Sequence, residues 1–220
     1  MNKLFAGFVG VAGLAAAAQA DYLQLPVGAP VFQAQTSWAA PISHQGSGNA
    51  DTGPAVYSSI PGPYAALAAG QFAQDDDYTT NLPPNTTFTC DGFRFVGGIS
   101  VANSKLDFFF LKSDNTTINT AFQINFGTNV GDFIWTITFG SADPTLTSSG
   151  FCQIQTDGPN DAGRWFFTST PANPGTNSFT TGSGSQFNPP QIQAFEFQVP
   201  APGSMALLGL GGLMAARRRR

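Results

Sequence analysis

Apolar and polar residues alternate with a period of two along several short segments of this chain. Phe133, Trp135, Ile137 and Phe139 point one way in that pattern while Ile134, Thr136 and Thr138 point the other, and Phe122, Ile124 and Phe126 alternate with Gln123 and Asn125. Successive side chains of an extended strand leave opposite faces, so both segments read as half-buried strands. Phe195, Phe197 and Val199 alternate with Glu196 and Gln198 in the same way. Leu106 to Leu111 is nearly continuous, broken by Asp107, which suits a central strand covered on both faces. Phe88 to Val96, Phe151 to Gln155, Arg164 to Thr168 and Tyr22 to Val27 are further strand candidates. Turn clusters separate them at Lys112 to Asn115, Gly127 to Gly131, Ala142 to Pro144 and Asp157 to Gly163. The expected fold is all-β, an antiparallel β-sandwich of jelly-roll-like form.

Composition argues against the helical alternative. Only 10% of the residues are charged, with a single Glu (Glu196), against about 25% in an ordinary domain. Exposed helix faces are usually built from Glu, Lys and Gln, whereas Phe, Thr and Asn dominate here. With 42% hydrophobic residues and 21 Phe, the chain can bury a sizeable core. Residues 39–70 and 171–190 are rich in Pro, Gly and Ser and read as loops, with one helical turn expected at Tyr64 to Ala69.

The two ends differ from the middle. Lys3, an apolar run from Leu4 to Ala18, and Ala18-Gln19-Ala20 before Asp21 have the form of a secretory signal peptide, residues 1–20. The run would reach only ~22 Å as a helix, short of the ~30 Å bilayer core. Small residues at Ala18 and Ala20 fit the narrow subsites of a signal peptidase. Residues 21–198 would form the sandwich domain. The remainder, 199–220, holds Val199-Pro200-Ala201-Pro202, an apolar Gly/Leu/Ala-rich stretch expected to form a short C-terminal hydrophobic helix, and Arg217-Arg218-Arg219-Arg220. Four arginines favour holding that end on the cytoplasmic side, a transient membrane association that leaves the main chain outside.

Box, short helix and basic cluster in that order resemble the PEP-CTERM sorting signal of Gram-negative bacteria. Val199, Pro200 and Pro202 match its Val-Pro-Glu-Pro box, and Ala201 stands where the commonest form has Glu. Leu207-Leu208-Gly209-Leu210 looks like its helix core and Arg217 to Arg220 like its terminal cluster. The resemblance implies recognition by an exosortase-type processing enzyme, cleavage near the box, and release or transfer to the cell surface, often alongside exopolysaccharide. It implies nothing about the fold of residues 21–198.

Between the two ends only Arg94, Lys105, Lys112 and Arg164 are basic, against all 13 acids, a formal charge of −9. Such a surface repels polyanions, which excludes nucleic acid and leaves divalent cations or neutral glycans as easier partners. Cys90 and Cys152, on candidate strands of an exported chain, are expected to form a disulfide worth about 4 kcal/mol in the chain-entropy model; the alternative is two separately buried thiols. His44 is the only His, so a triad would have no second base, and no catalytic residue is assigned. Asp75-Asp76-Asp77 reads as a surface turn, and so does the pair Asp157 and Asp161. Asp157, Asn160 and Asp161 are nevertheless a candidate loop site for Ca²⁺, the one cofactor considered. Trp135 is read as core, while Trp38, Tyr78 and Trp165 are candidate platforms for sugar rings. The leading expectation is a non-enzymatic surface or matrix protein with a structural or adhesive role; the alternative is a carbohydrate-binding module, calcium-assisted or not.

Overall fold

The structure, a computed structural model, describes residues 20–34, the backbone of 39–41, and residues 53–139, 143–178, 182 and 191–201. Among these residues there is no helix, and nearly all strand pairing is antiparallel. A five-stranded sheet is ordered β1 (Val31–Gln33), β9 (Ile118–Asn125), β8 (Lys105–Lys112), β12 (Ser149–Thr156) and β5 (Ala73–Thr79), with β1 parallel to β9. An eight-stranded sheet runs β14 (Ile192–Gln193), β13 (Gly163–Thr168), β7 (Gly92–Ile99), β10 (Gly131–Thr138) and β2 (Ala39–Pro41). In it β15 (Phe195–Gln198) pairs with both β7 and β3 (Ala55–Ser58), and β4 (Tyr64–Ala66) pairs with β13. A separate ribbon joins β6 (Thr87–Thr89) to β11 (Thr145–Thr147).

The two large sheets meet through phenylalanine. Phe108, Phe110 and Phe122 of the first sheet and Phe93, Phe95, Phe195 and Phe197 of the second belong to one buried cluster. Phe93 lies edge-on to Phe110 at 5.0 Å, Phe95 to Phe108 at 5.1 Å, and Phe110 to Phe197 at 5.1 Å. Offset and edge-on contacts of this kind add about 0.5–1.5 kcal/mol per pair beyond area burial. A jelly roll is a finer description than this strand order carries.

Central β8 is covered on both faces, as its nearly continuous apolar run predicts. Leu106, Phe108 and Phe110 face the core, while Phe109 and Leu111 lie under a second layer made partly by Leu23 and Leu25. That layer corrects the expected strand at Tyr22 to Val27. The segment is a strap with no strand partner, because buried glutamines of β12 take its backbone groups instead. Leu23 N–H donates to Gln155 Oε1 at 2.9 Å, Gln155 Nε2 to Leu23 O at 2.8 Å, and Gln153 Nε2 to Asp21 O at 2.8 Å.

Other expectations change for identifiable reasons. The candidate strand Phe88 to Val96 divides into β6 and β7 at Cys90-Asp91, where the chain passes from the ribbon to the large sheet. Residues 39–70 contribute β2, β3 and β4, and Tyr64 to Ala69 holds β4 in place of a helical turn, since unpaired edges of β10, β15 and β13 supply the hydrogen bonds. Asp75-Asp76-Asp77 lies inside β5, paired along its length with β12, and is no surface turn. The turn at Lys112 to Asn115 forms as expected: Asp114 Oδ1 accepts the Thr116 and Thr117 N–H groups at 3.0 and 2.8 Å, and Asn115 takes φ 55°. The expected C-terminal helix lies outside the described residues.

Candidate functional site

Strand β15 carries the chain from the centre of the core to the Pro box. Phe195 and Phe197 are inserted into the aromatic cluster, and Asp91 N–H donates to Gln198 O at 3.0 Å, the last backbone bond of the strand on that side. Val199 N–H then donates to Pro54 O at 3.1 Å, and its side chain packs against the core. Pro200 has no N–H and ends the pairing. A side chain at Gly53 would collide with the Val199 carbonyl and the Pro200–Ala201 peptide, so the start of the box lies flat on a backbone that only glycine leaves open. Ala201 is exposed. Residues 198–220 match the family model of the PEP-CTERM protein-sorting motif. The chain carries a PEP-CTERM sorting motif. No curated protein and no solved structure matches the chain. The motif starts at Gln198, the last residue of β15, so no linker separates the sorting signal from the folded cargo. Pro202 and Arg217, Arg218, Arg219 and Arg220 lie outside the described residues. A PEP-CTERM motif marks an exported protein directed to the cell surface and processed by an exosortase-type enzyme.

At the other end, Ala20 N–H donates to Ala73 O at 2.9 Å, which places the expected signal-cleavage bond between Ala20 and Asp21 beside the start of the strap; Ala18 lies outside the described residues.

The expected Cys90–Cys152 disulfide is absent, and both cysteines are free and buried. Cys90 Sγ donates to Gly92 O at 3.3 Å within its own turn, and Cys152 points from β12 into the same core cluster, so each serves as a small apolar side chain. Burial, the largest cause, pushes both thiols far above their ordinary range, with the Cys152 thiol raised further by Asp76. Protonated and covered, they are poor nucleophiles. In the folded chain neither is expected to react with a thiol reagent over minutes, and both are expected to react after denaturation without reductant. A denatured chain that still shows no free thiol contradicts this reading.

Two of the three sugar-platform candidates, Trp165 and Tyr78, lie in the interior. Trp165 is fully buried with its Nε1–H donating to Ala194 O at 3.2 Å, and Tyr78 is buried with its hydroxyl donating to Thr147 O at 3.2 Å. Both side chains belong to the aromatic core cluster between the sheets. Trp38 and His44 lie outside the described residues. Trp135 is core, as expected, its Nε1–H donating to Gly97 O at 3.2 Å.

In the Asp157–Asp161 turn, the carboxylates are engaged within the protein. Asp161 Oδ1 accepts the Lys105 N–H and Oδ2 the Gly158 N–H, both at 2.9 Å, while Asp157 Oδ2 lies 3.5 Å from Lys105 Nζ. Nearby Asp107 is pushed up to about 6, chiefly by burial, with Asp157 adding to the rise and the 2.8 Å hydrogen bond from Gln123 opposing it. Among the described residues, no three His, Cys, Asp or Glu side chains converge as a metal site.

Proposed function

We propose that the chain is a non-enzymatic protein of the cell surface or extracellular matrix with a structural or adhesive role. In this reading a signal peptidase removes residues 1–20, the apolar tail before Arg217 holds the protein briefly at the inner membrane, and an exosortase-type enzyme cuts near Val199–Pro202. The sorting motif at residues 198–220, continuous with a core strand, is the observation that carries it. A rigid aromatic interior beneath a surface poor in charge suits a passive cargo among neutral exopolysaccharide. Replacing Arg217, Arg218, Arg219 and Arg220 with Ser is expected to stop processing, so that cell fractionation recovers a heavier, uncut chain and little surface product. Unchanged size and location of the variant would contradict the reading.

A further inference from the structure

The interior of the sandwich holds a polar cluster that the sorting function does not use. It is built where β5, the edge strand of the five-stranded sheet, approaches β14 of the other sheet. Tyr78 of β5 is in the core, so Asp76 and Gln74, two and four residues before it, face inward as well. Gln193 shares its face with Phe195 in the same way. Asp76 and Gln193 have no exposed surface at all, and Gln74 retains 4%. Gln193 N–H donates to Asp76 Oδ2 at 2.6 Å, and Asp77 N–H to Asp76 Oδ1 at 3.0 Å. Asn177 closes the cluster from the segment after β13, its Nδ2 donating to Asp77 O at 2.6 Å and to the Tyr57 hydroxyl at 3.4 Å.

Two features of this cluster are unusual for an interior. First, among the described residues no cation offsets the Asp76 carboxylate. Arg94, Lys105 and Arg164 are paired with Glu196, Asp157 and Asp132, and Lys112 is exposed. Second, Gln74 Oε1, Asn177 Oδ1 and both polar side-chain atoms of Gln193 are buried without a hydrogen-bond partner. Native interiors seldom leave such groups unmatched, and four such atoms on residues that share a cluster with a buried carboxyl group point to a missing partner. Gly182 closes over the carboxylate: a Cβ there would come within 2.6 Å of both Asp76 Cα and Asp76 Oδ1, and its φ of +74° disfavours a side chain in any case.

We propose that this cluster is an internal binding site for a hard cation of the Ca²⁺ class, with the Asp76 carboxylate and the side-chain carbonyls of Gln74, Asn177 and Gln193 as its protein ligands. The donor set is one anionic oxygen group and three neutral amide oxygens, the chemistry that hard ions select; water completes the six to eight ligands that Ca²⁺ takes. The thiol inward on the neighbouring strand, Cys152, is kept protonated by burial and is no competitor for the ion. Without the ion, burial drives the Asp76 carboxyl well above its usual range, with the Asp77 charge adding to the rise and the Gln193 N–H opposing it. The cation ties the edge strand of one sheet to the end of the other.

Metal analysis and thermal melting of the purified full chain test this site. After chelation and dialysis, CaCl2 at a hundredfold excess over Kd is expected to raise Tm by roughly 5–10 °C, with one ion retained per chain. Parallel samples in NaCl and KCl decide whether a monovalent ion gives the same response, which would support the site with a different occupant. Asp76→Asn is expected to abolish the shift. Gln193→Met, which removes the amide oxygen at similar volume, is expected to weaken binding at least tenfold while the ion-free protein stays folded. A purely structural role for these residues would alter Tm equally with and without the ion. No response to any of the ions, or a calcium response that survives both variants and so belongs to the surface turn of Asp157, Asn160 and Asp161, would overturn the proposal.

Discussion

Truncation of Phe93 to alanine is expected to destabilise the sandwich by about 3–5 kcal/mol, the usual loss for a buried aromatic ring. Phe93 has no exposed surface and lies against rings of both sheets: Phe108 at 6.0 Å and Phe110 at 5.0 Å on one side, Phe197 at 5.5 Å beside it. Three consequences combine in the variant: ring burial is lost, edge-on contacts disappear, and a cavity opens where two stiff sheets cannot collapse together. Domains of this size hold only about 5–15 kcal/mol in total. The urea midpoint should therefore fall steeply with little change in slope. A loss below about 1 kcal/mol would mean that the aromatic cluster does not join the sheets.

Glu196→Ala is expected to cost a similar amount, about 3–5 kcal/mol, by a different route. Glu196 stands opposite Arg94 in the β15–β7 register, on the face away from the aromatic cluster, yet the two side chains keep only 9% and 12% of their exposure. Its carboxylate accepts Arg94 Nη1 at 3.2 Å, Ser58 Oγ at 2.7 Å and Gln198 Nε2 at 2.6 Å. Alanine removes all three and strands a guanidinium in a poorly solvated place. Replacing Arg94 and Glu196 together with Met removes the stranded charge, so the double variant should be much closer to wild type than Glu196→Ala. Equal losses in the single and double variants would show that the hydrogen bonds to Ser58 and Gln198 matter more than the charge pair.

Legibility in the sequence followed locality. β9, β10 and β15 were readable because their inward and outward positions differ in polarity residue by residue, as at Phe122, Ile124, Trp135 and Phe197. The Asp75–Asp77 run of β5 was not, because three identical acids carry no alternation; what makes Asp76 an interior residue is the chain more than a hundred residues away that donates from Gln193. β3 and β4 were hidden for the same reason, being short segments in Pro- and Gly-rich surroundings that become strands only against β15 and β13. Tyr78 and Trp165 looked like surface aromatics because exposure depends on register, which single residues do not announce. The sorting box, by contrast, is a contiguous string of residues read by another protein, so its signal lies in the sequence itself.

The most direct test of the account is the intact mass of the protein recovered from the producing cells. A chain beginning at Asp21 and ending near Pro200 is the predicted result, and a chain retaining both Met1 and Arg220 would contradict it.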